Sequence, residues 1–167
     1  MIERLFALGK PCFYMIEMDK PPFHDITLQL TKSHKESVIR RIRGRKSETL
    51  HDFFNEISAA LQFPYYFGEN GAAFSECITD LDWLEGDAYL LIIDDSHAFL
   101  QDSEEDFRII LQYLESANEE WLTPNKYIPR QRQPTPFHVL FQCTVESSVG
   151  FSQRLTSAYI QFEELRL

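Results

Sequence analysis

The chain has 167 residues, 44% of them hydrophobic and 14% aromatic, which excludes a disordered protein and supplies one core without disulfides or metal. Its 26 acidic residues outnumber 16 basic ones, for a formal net charge of −10. That charge excludes a general nucleic-acid binder, which phosphate would repel, and suits a partner with a basic surface.

The three cysteines, Cys12, Cys77 and Cys143, are widely spaced and form no CxxC pair. They read as small core hydrophobes in a reducing compartment. The N-terminal MIERLFALGKP has charge on both sides of a short apolar run and no cleavage pattern, and no run is long enough to span a membrane. The expected location is the cytoplasm.

In chain order, residues 12–18, CFYMIEM, predict a strand that breaks at Asp19-Lys20-Pro21-Pro22. Residues 25–31, DITLQLT, alternate. Ile26, Leu28 and Leu30 fall on one side and Thr27, Gln29 and Thr31 on the other, predicting a half-buried strand. SVIRRIR, residues 37–43, reads as the next strand. Short turns between the three predict an antiparallel meander. Arg40, Arg41, Arg43, Arg45 and Lys46 form a basic cluster without interleaved aromatics, so it reads as a solvated strand end paired with nearby acids.

A helix follows from Ser47, its expected cap, to Gln62, with Leu50, Phe53, Phe54, Ile57 and Leu61 as the apolar stripe. Next comes PYYFGENGAAFSECITDL, Pro64 to Leu81. Proline, aromatics and Gly68 form a turn, and Asn70 caps a short helix. Ala73, Phe74, Cys77, Ile78 and Leu81 should point inward; Ala72, Ser75, Glu76, Thr79 and Asp80 should face out. AYLLIIDD, residues 88–95, predicts the central strand of a parallel sheet, buried on both faces. A helix from Ser103 buries Phe107, Ile110, Leu111, Leu114 and Ala117, and Trp121 lies at its end. Residues 122–136 carry Pro124, Pro129, Pro134 and Pro136 and read as a connector or a second contact arm. HVLFQC, residues 138–143, is a further strand. In the tail from Thr144, GFSQRLTSAY can start a helix, while Ala158, Ile160 and Phe162 allow a strand.

The best enzyme-like constellation is Asp94-Asp95-Ser96-His97, after the buried strand, where α/β proteins bind ligands. Two carboxylates and a histidine could hold a metal or run acid–base chemistry. The plainer reading is a turn capped by Asp95 and Ser96 with His97 exposed. No His-x-x-x-His pair, Gly-rich phosphate loop or Gly-x-Ser-x-Gly accompanies it.

The run Pro64-Tyr65-Tyr66-Phe67-Gly68-Glu69-Asn70, continuing through Ala73 to Glu76-Cys77 and Thr79, resembles the barstar family of small intracellular inhibitors of secreted bacterial ribonucleases. Flanking elements extend the resemblance to roughly residues 37–143. Gly71, Ala72 and Ser75 depart from it, where the family usually carries a large apolar residue, an acid and a bulky residue. Glu76 stands where the acid is usually Asp.

The resemblance implies an α/β fold: a barstar-like parallel sheet covered by helices. The predicted N-terminal antiparallel strands and a C-terminal extension would be added to it. One domain, residues 1–167, would comprise a core at 37–143 and additions at 1–36 and 144–167. The implied function is a non-catalytic immunity protein that blocks the active site of a toxic nuclease, with a ribonuclease as the expected class. Glu76 would imitate a substrate phosphate, and Tyr66, Gly68, Glu69, Asn70, Ala72, Ser75, Thr79 and Asp80 would complete the contact surface. No cofactor, direct nucleic-acid contact or membrane is implied, and a monomer is expected when free. The alternatives are a small metal-dependent hydrolase using Asp94, Asp95 and His97, and a barstar-like module that binds a partner other than a nuclease.

Overall fold

Five strands form one sheet in a computed structural model that describes residues 2–123 and 132–167. They are β1 (Phe13–Glu17), β2 (Val38–Arg43), β3 (Tyr89–Asp94), β4 (Phe137–Cys143) and β5 (Phe162–Leu165), in the order β2-β3-β4-β1-β5. Every pairing is parallel. The helices are α1 (Lys20–Ser33), α2 (Leu50–Leu61), α3 (Gly71–Asp80), α4 (Glu104–Leu122) and α5 (Val145–Ser157).

Crossover handedness explains where the helices lie. The link from β1 to β2 runs one way along the sheet, past β4 and β3, and carries α1. All later links run back the other way. Right-handed crossovers in opposite directions place their helices on opposite faces. Accordingly, Phe23 and Leu30 of α1 pack on Tyr14, Ile16, Leu90, Ile92 and Leu140, with Leu5 of an N-terminal 3-10 turn beside them. The other face carries the larger core, where side chains of α2, α3, α4 and α5 meet Phe13, Met15, Tyr89, Leu91, Val139 and Phe141. β3 and β4 are buried along their whole length, which is why β3 reads as a continuous apolar run.

The expected antiparallel strands are overturned. The sheet is parallel throughout, and residues 25–31 belong to α1 rather than to a strand. The alternation of Ile26, Leu28 and Leu30 masked a helical stripe, Phe23, Ile26 and Leu30, which faces the sheet and leaves Leu28 exposed. Lys20-Pro21-Pro22 starts that helix, because proline is tolerated in a first turn. β1 lies inside the sheet, between β4 and β5.

Smaller corrections follow. Thr49, not Ser47, caps α2, its hydroxyl accepting from the Asp52 amide at 3.1 Å. β4, rather than β3, holds the middle of the sheet. The tail forms both of the elements it allowed, α5 and then β5. The cysteines are buried and free. No described helix is long and apolar enough to cross a membrane. Of the proline-rich stretch, residues 124–131, and with them most of the suggested contact arm, lie outside the described residues.

Candidate functional site

Phe63 and Phe67 anchor the turn before α3. Phe67 meets Phe54 and Phe63 edge-on at 5.5 and 5.0 Å, and Phe63 meets Trp83 at 6.2 Å. The Phe67 amide closes the turn on the Pro64 carbonyl at 3.0 Å. Tyr65 and Tyr66 are left at its tip, 101% and 59% exposed. Asn70 then fixes the helix start. Its Oδ1 accepts from the Ala73 amide at 2.9 Å, and its Nδ2 donates to the Gly68 carbonyl at 3.1 Å. Glu69 adopts a left-handed φ of 49°, which turns the chain sharply into the cap.

Phe74, Cys77 and Ile78 of α3 are buried, and Leu81 closes the helix in a left-handed conformation. On the outer side, Gly68, Glu69, Asn70, Ala72 and Glu76 are exposed, and Ser75, Thr79 and Asp80 are partly covered. Thr79 is turned back onto its own helix, its hydroxyl donating to the Ser75 carbonyl at 2.8 Å. Lost solvation raises the Tyr66 phenol pKa, and so do Cys77, Asp80 and Glu76 nearby. Partial burial and Asp82 raise the Asp80 carboxyl. The nine predicted contact residues thus lie along one turn and one helix, with Glu76 in the open.

Two neighbours of this surface were not legible in the sequence. Tyr113 of α4 lies edge-on to Phe74 at 6.2 Å and against Gly71. Arg132 stacks 3.6 Å above the Trp121 ring and donates to the Thr79 and Asp80 carbonyls. It thereby satisfies the open C-terminal end of α3 from 52 residues away. Helical spacing marks Tyr113 only as one of several aromatics, and nothing in the sequence pairs Arg132 with α3.

The second candidate, Asp94-Asp95-Ser96-His97, is spent on the fold. Asp94 is buried and accepts from Arg41 Nε at 2.7 Å. Asp95 is also buried; it pairs with Lys20, while Arg45 Nε lies 3.3 Å away. The Asp95 amide donates to Gln142 Oε1 at 2.9 Å and the Ser96 hydroxyl to the Ile93 carbonyl at 2.7 Å. His97 is half-buried rather than exposed, its Nε2 3.3 Å from Arg45 Nη2. Gly44 is required here, since a Cβ on it would lie 2.3 Å from the Asp94 carbonyl oxygen. The basic cluster therefore pairs inward: Arg41 with Asp94, Arg43 with Glu56, and Arg45 with Asp95. No group of three or more His, Cys, Asp or Glu is placed to hold a metal among the described residues.

The profile of the Barstar (barnase inhibitor) family matches residues 38–142, more than half of the chain. The chain belongs to the Barstar family. The turn, cap and outer face of α3 all lie within the part matched by the Barstar profile, whereas β1, α1, α5 and β5 lie outside it. A barnase-inhibitor-like role and a nuclease as the general kind of partner follow from Barstar membership. No curated protein matches the chain closely enough to count as a relative.

Solved structures similar in fold come from elsewhere. Cdc6p from Pyrobaculum aerophilum superposes with a TM-score of 0.57 at 13% identity, covering 91% of this chain and 38% of that one. The ORC2 protein of Aeropyrum pernix in its ADP form gives 0.59 at 15%, covering 95% and 43%. The chain spans less than half the length of either. At such identities the likeness concerns the fold alone, and it completes the correction of the expected one: this Barstar-family chain has a five-stranded, all-parallel sheet that superposes on Cdc6 and ORC proteins.

Proposed function

We propose that the chain is a non-catalytic inhibitor, an immunity protein that binds the active site of a toxic ribonuclease in the cytoplasm and blocks it. The observation that carries this reading is the exposed carboxylate of Glu76, at the centre of a rigidly capped helix inside the part of the chain that the family profile matches. In the cleft of a nuclease it takes the place of a phosphate. Tyr66, Gly68, Glu69, Asn70, Ala72, Ser75, Thr79 and Asp80 form the surrounding contact. The net charge of −10 favours association with a basic enzyme.

The ADP form of the Aeropyrum pernix protein raises nucleotide binding as a competing role. The residues after β1 disfavour it here. Met18-Asp19-Lys20 contains no glycine to cradle a phosphate. The Met18 amide is spent on the Cys143 carbonyl, and the Met18 carbonyl on Gln142 Nε2. Lys20 is paired with Asp95. Hydrolysis by Asp94, Asp95 and His97 is disfavoured by the same ion pairs, which leave neither carboxylate free.

The test is RNA cleavage by purified barnase, and by a panel of other basic bacterial ribonucleases, with the chain titrated in. Stoichiometric inhibition of one of them is expected. A panel that cleaves RNA at full rate with the chain in excess would refute the reading.

A further inference from the structure

Tyr65 contributes nothing to the core: its side chain is fully in water, 101% exposed. Yet it is a central residue of the turn closed by the Phe67 amide on the Pro64 carbonyl, between two phenylalanines that pack inward. Its ring meets Tyr66 edge-on, centroids 5.7 Å apart at 79°. The tip of the turn is therefore a two-ring aromatic knob, directly ahead of the helix whose outer side carries Glu76 and Asp80.

An aromatic ring presented on a rigid turn loses little conformational entropy on binding, and tyrosine is among the residues that dominate interface energetics. The knob is also chemically matched to one kind of cleft. Single-stranded RNA is held by cations on its phosphates and by flat surfaces on its bases. A surface with carboxylates beside aromatic rings offers both complements at once. Ala72 and Ser75 are small and contribute little contact of their own, so the interface needs an anchor elsewhere.

We propose that Tyr65 is that anchor, its ring stacking in the subsite where the partner ribonuclease holds a nucleobase, beside the cations that receive Glu76. The inference rests on the proposed inhibitory function and adds a specificity-determining residue to it. A ribonuclease with a flat, open base subsite accepts the ring; one with that subsite narrowed rejects it.

The experiment measures inhibition of RNA cleavage by barnase and the same panel of basic bacterial ribonucleases. The variants are Tyr65→Ala, Tyr65→Phe and Glu76→Gln, each with its thermal midpoint. Tyr65→Ala is expected to weaken inhibition by about 30-fold, the effect of removing a hot-spot aromatic. Tyr65→Phe should stay within about threefold of the parent, because stacking needs the ring and not the hydroxyl. Thermal midpoints should not move. Inhibition by Tyr65→Ala within twofold of the parent, with Glu76→Gln weakened, would overturn the anchor and leave the function standing. Tyr65→Phe as weak as Tyr65→Ala would overturn stacking. A parent chain that inhibits no ribonuclease of the panel would overturn the function, and the anchor with it.

Discussion

The ring of Tyr113 fills the space in front of Gly71: a Cβ on Gly71 would lie 2.8 Å from the Tyr113 hydroxyl oxygen and 2.9 Å from its ring. The space beside the asparagine cap is thus taken by a ring from α4. Gly71→Leu should force Tyr113 aside and cost about 1–3 kcal/mol, as overpacking does. Adding Tyr113→Ala should restore part of that loss, since one bulky group then replaces the other. Thermal or urea unfolding of the two single variants and the double variant measures this. Strictly additive losses would show that the two residues do not share the space.

Gly44 is constrained more severely, because backbone rather than a side chain opposes it. Its Cβ would meet the carbonyl oxygens of Asp94 and Asp95 at 2.3 and 2.4 Å. Gly44→Ala should cost about 3 kcal/mol or more and disturb the ion pairs of both aspartates. A urea midpoint unchanged from the parent would contradict the contact.

Glu76→Gln keeps the shape of the side chain and removes its charge, so the partner's cations would be left buried and unpaired. The expected loss in affinity is about 2–5 kcal/mol, a range to which the family's own complex with barnase contributes. Asp102→Asn, before α4, is the control and should change affinity little. Stability should shift by no more than about 0.5 kcal/mol in either variant. Full affinity in Glu76→Gln would sink the phosphate-mimic role.

Salt should act mainly on the association rate. The Debye length falls from about 30 Å at 0.01 M ionic strength to about 8 Å at 0.15 M, which shortens the reach of the acidic surface. Stopped-flow mixing with the inhibited ribonuclease should show association slowing over that range, with dissociation far less affected. A flat association rate would argue against electrostatic steering.

His138 supplies a pH dependence. It is fully buried, its Nε2 lies 2.8 Å from the Ala7 carbonyl oxygen, and burial lowers its pKa from the ordinary 6.5. With the folded value below the unfolded one, the unfolded chain binds the proton first. Its contribution is therefore whole above about pH 6.5 and is lost as the pH falls through the lowered folded value. Urea unfolding from pH 8 to pH 5 should show a decline that His138→Gln reduces. Equal slopes in the two proteins would assign the decline to other groups.

Legibility in the sequence differed by element. The α3 cap, its inward residues and the buried β3 were readable because capping and apolar periodicity are local signals. α1 was misread because Ile26, Leu28 and Leu30 satisfy a period of two, whereas the packed stripe is Phe23, Ile26 and Leu30. The parallel sheet around β1 could not be read locally, because its partners come from the far end of the chain. The same holds at the site: Tyr113 and Arg132 reach α3 only through tertiary packing.

The position of β1 governs when the chain can fold during synthesis. Phe13–Glu17 leaves the ribosome before either of its partners, Val139–Cys143 on one side and Phe162–Leu165 on the other. A growing chain that stops before residue 137 has the α3 surface but lacks both strands that flank β1. Completion of the sheet therefore waits until both of those strands have been made.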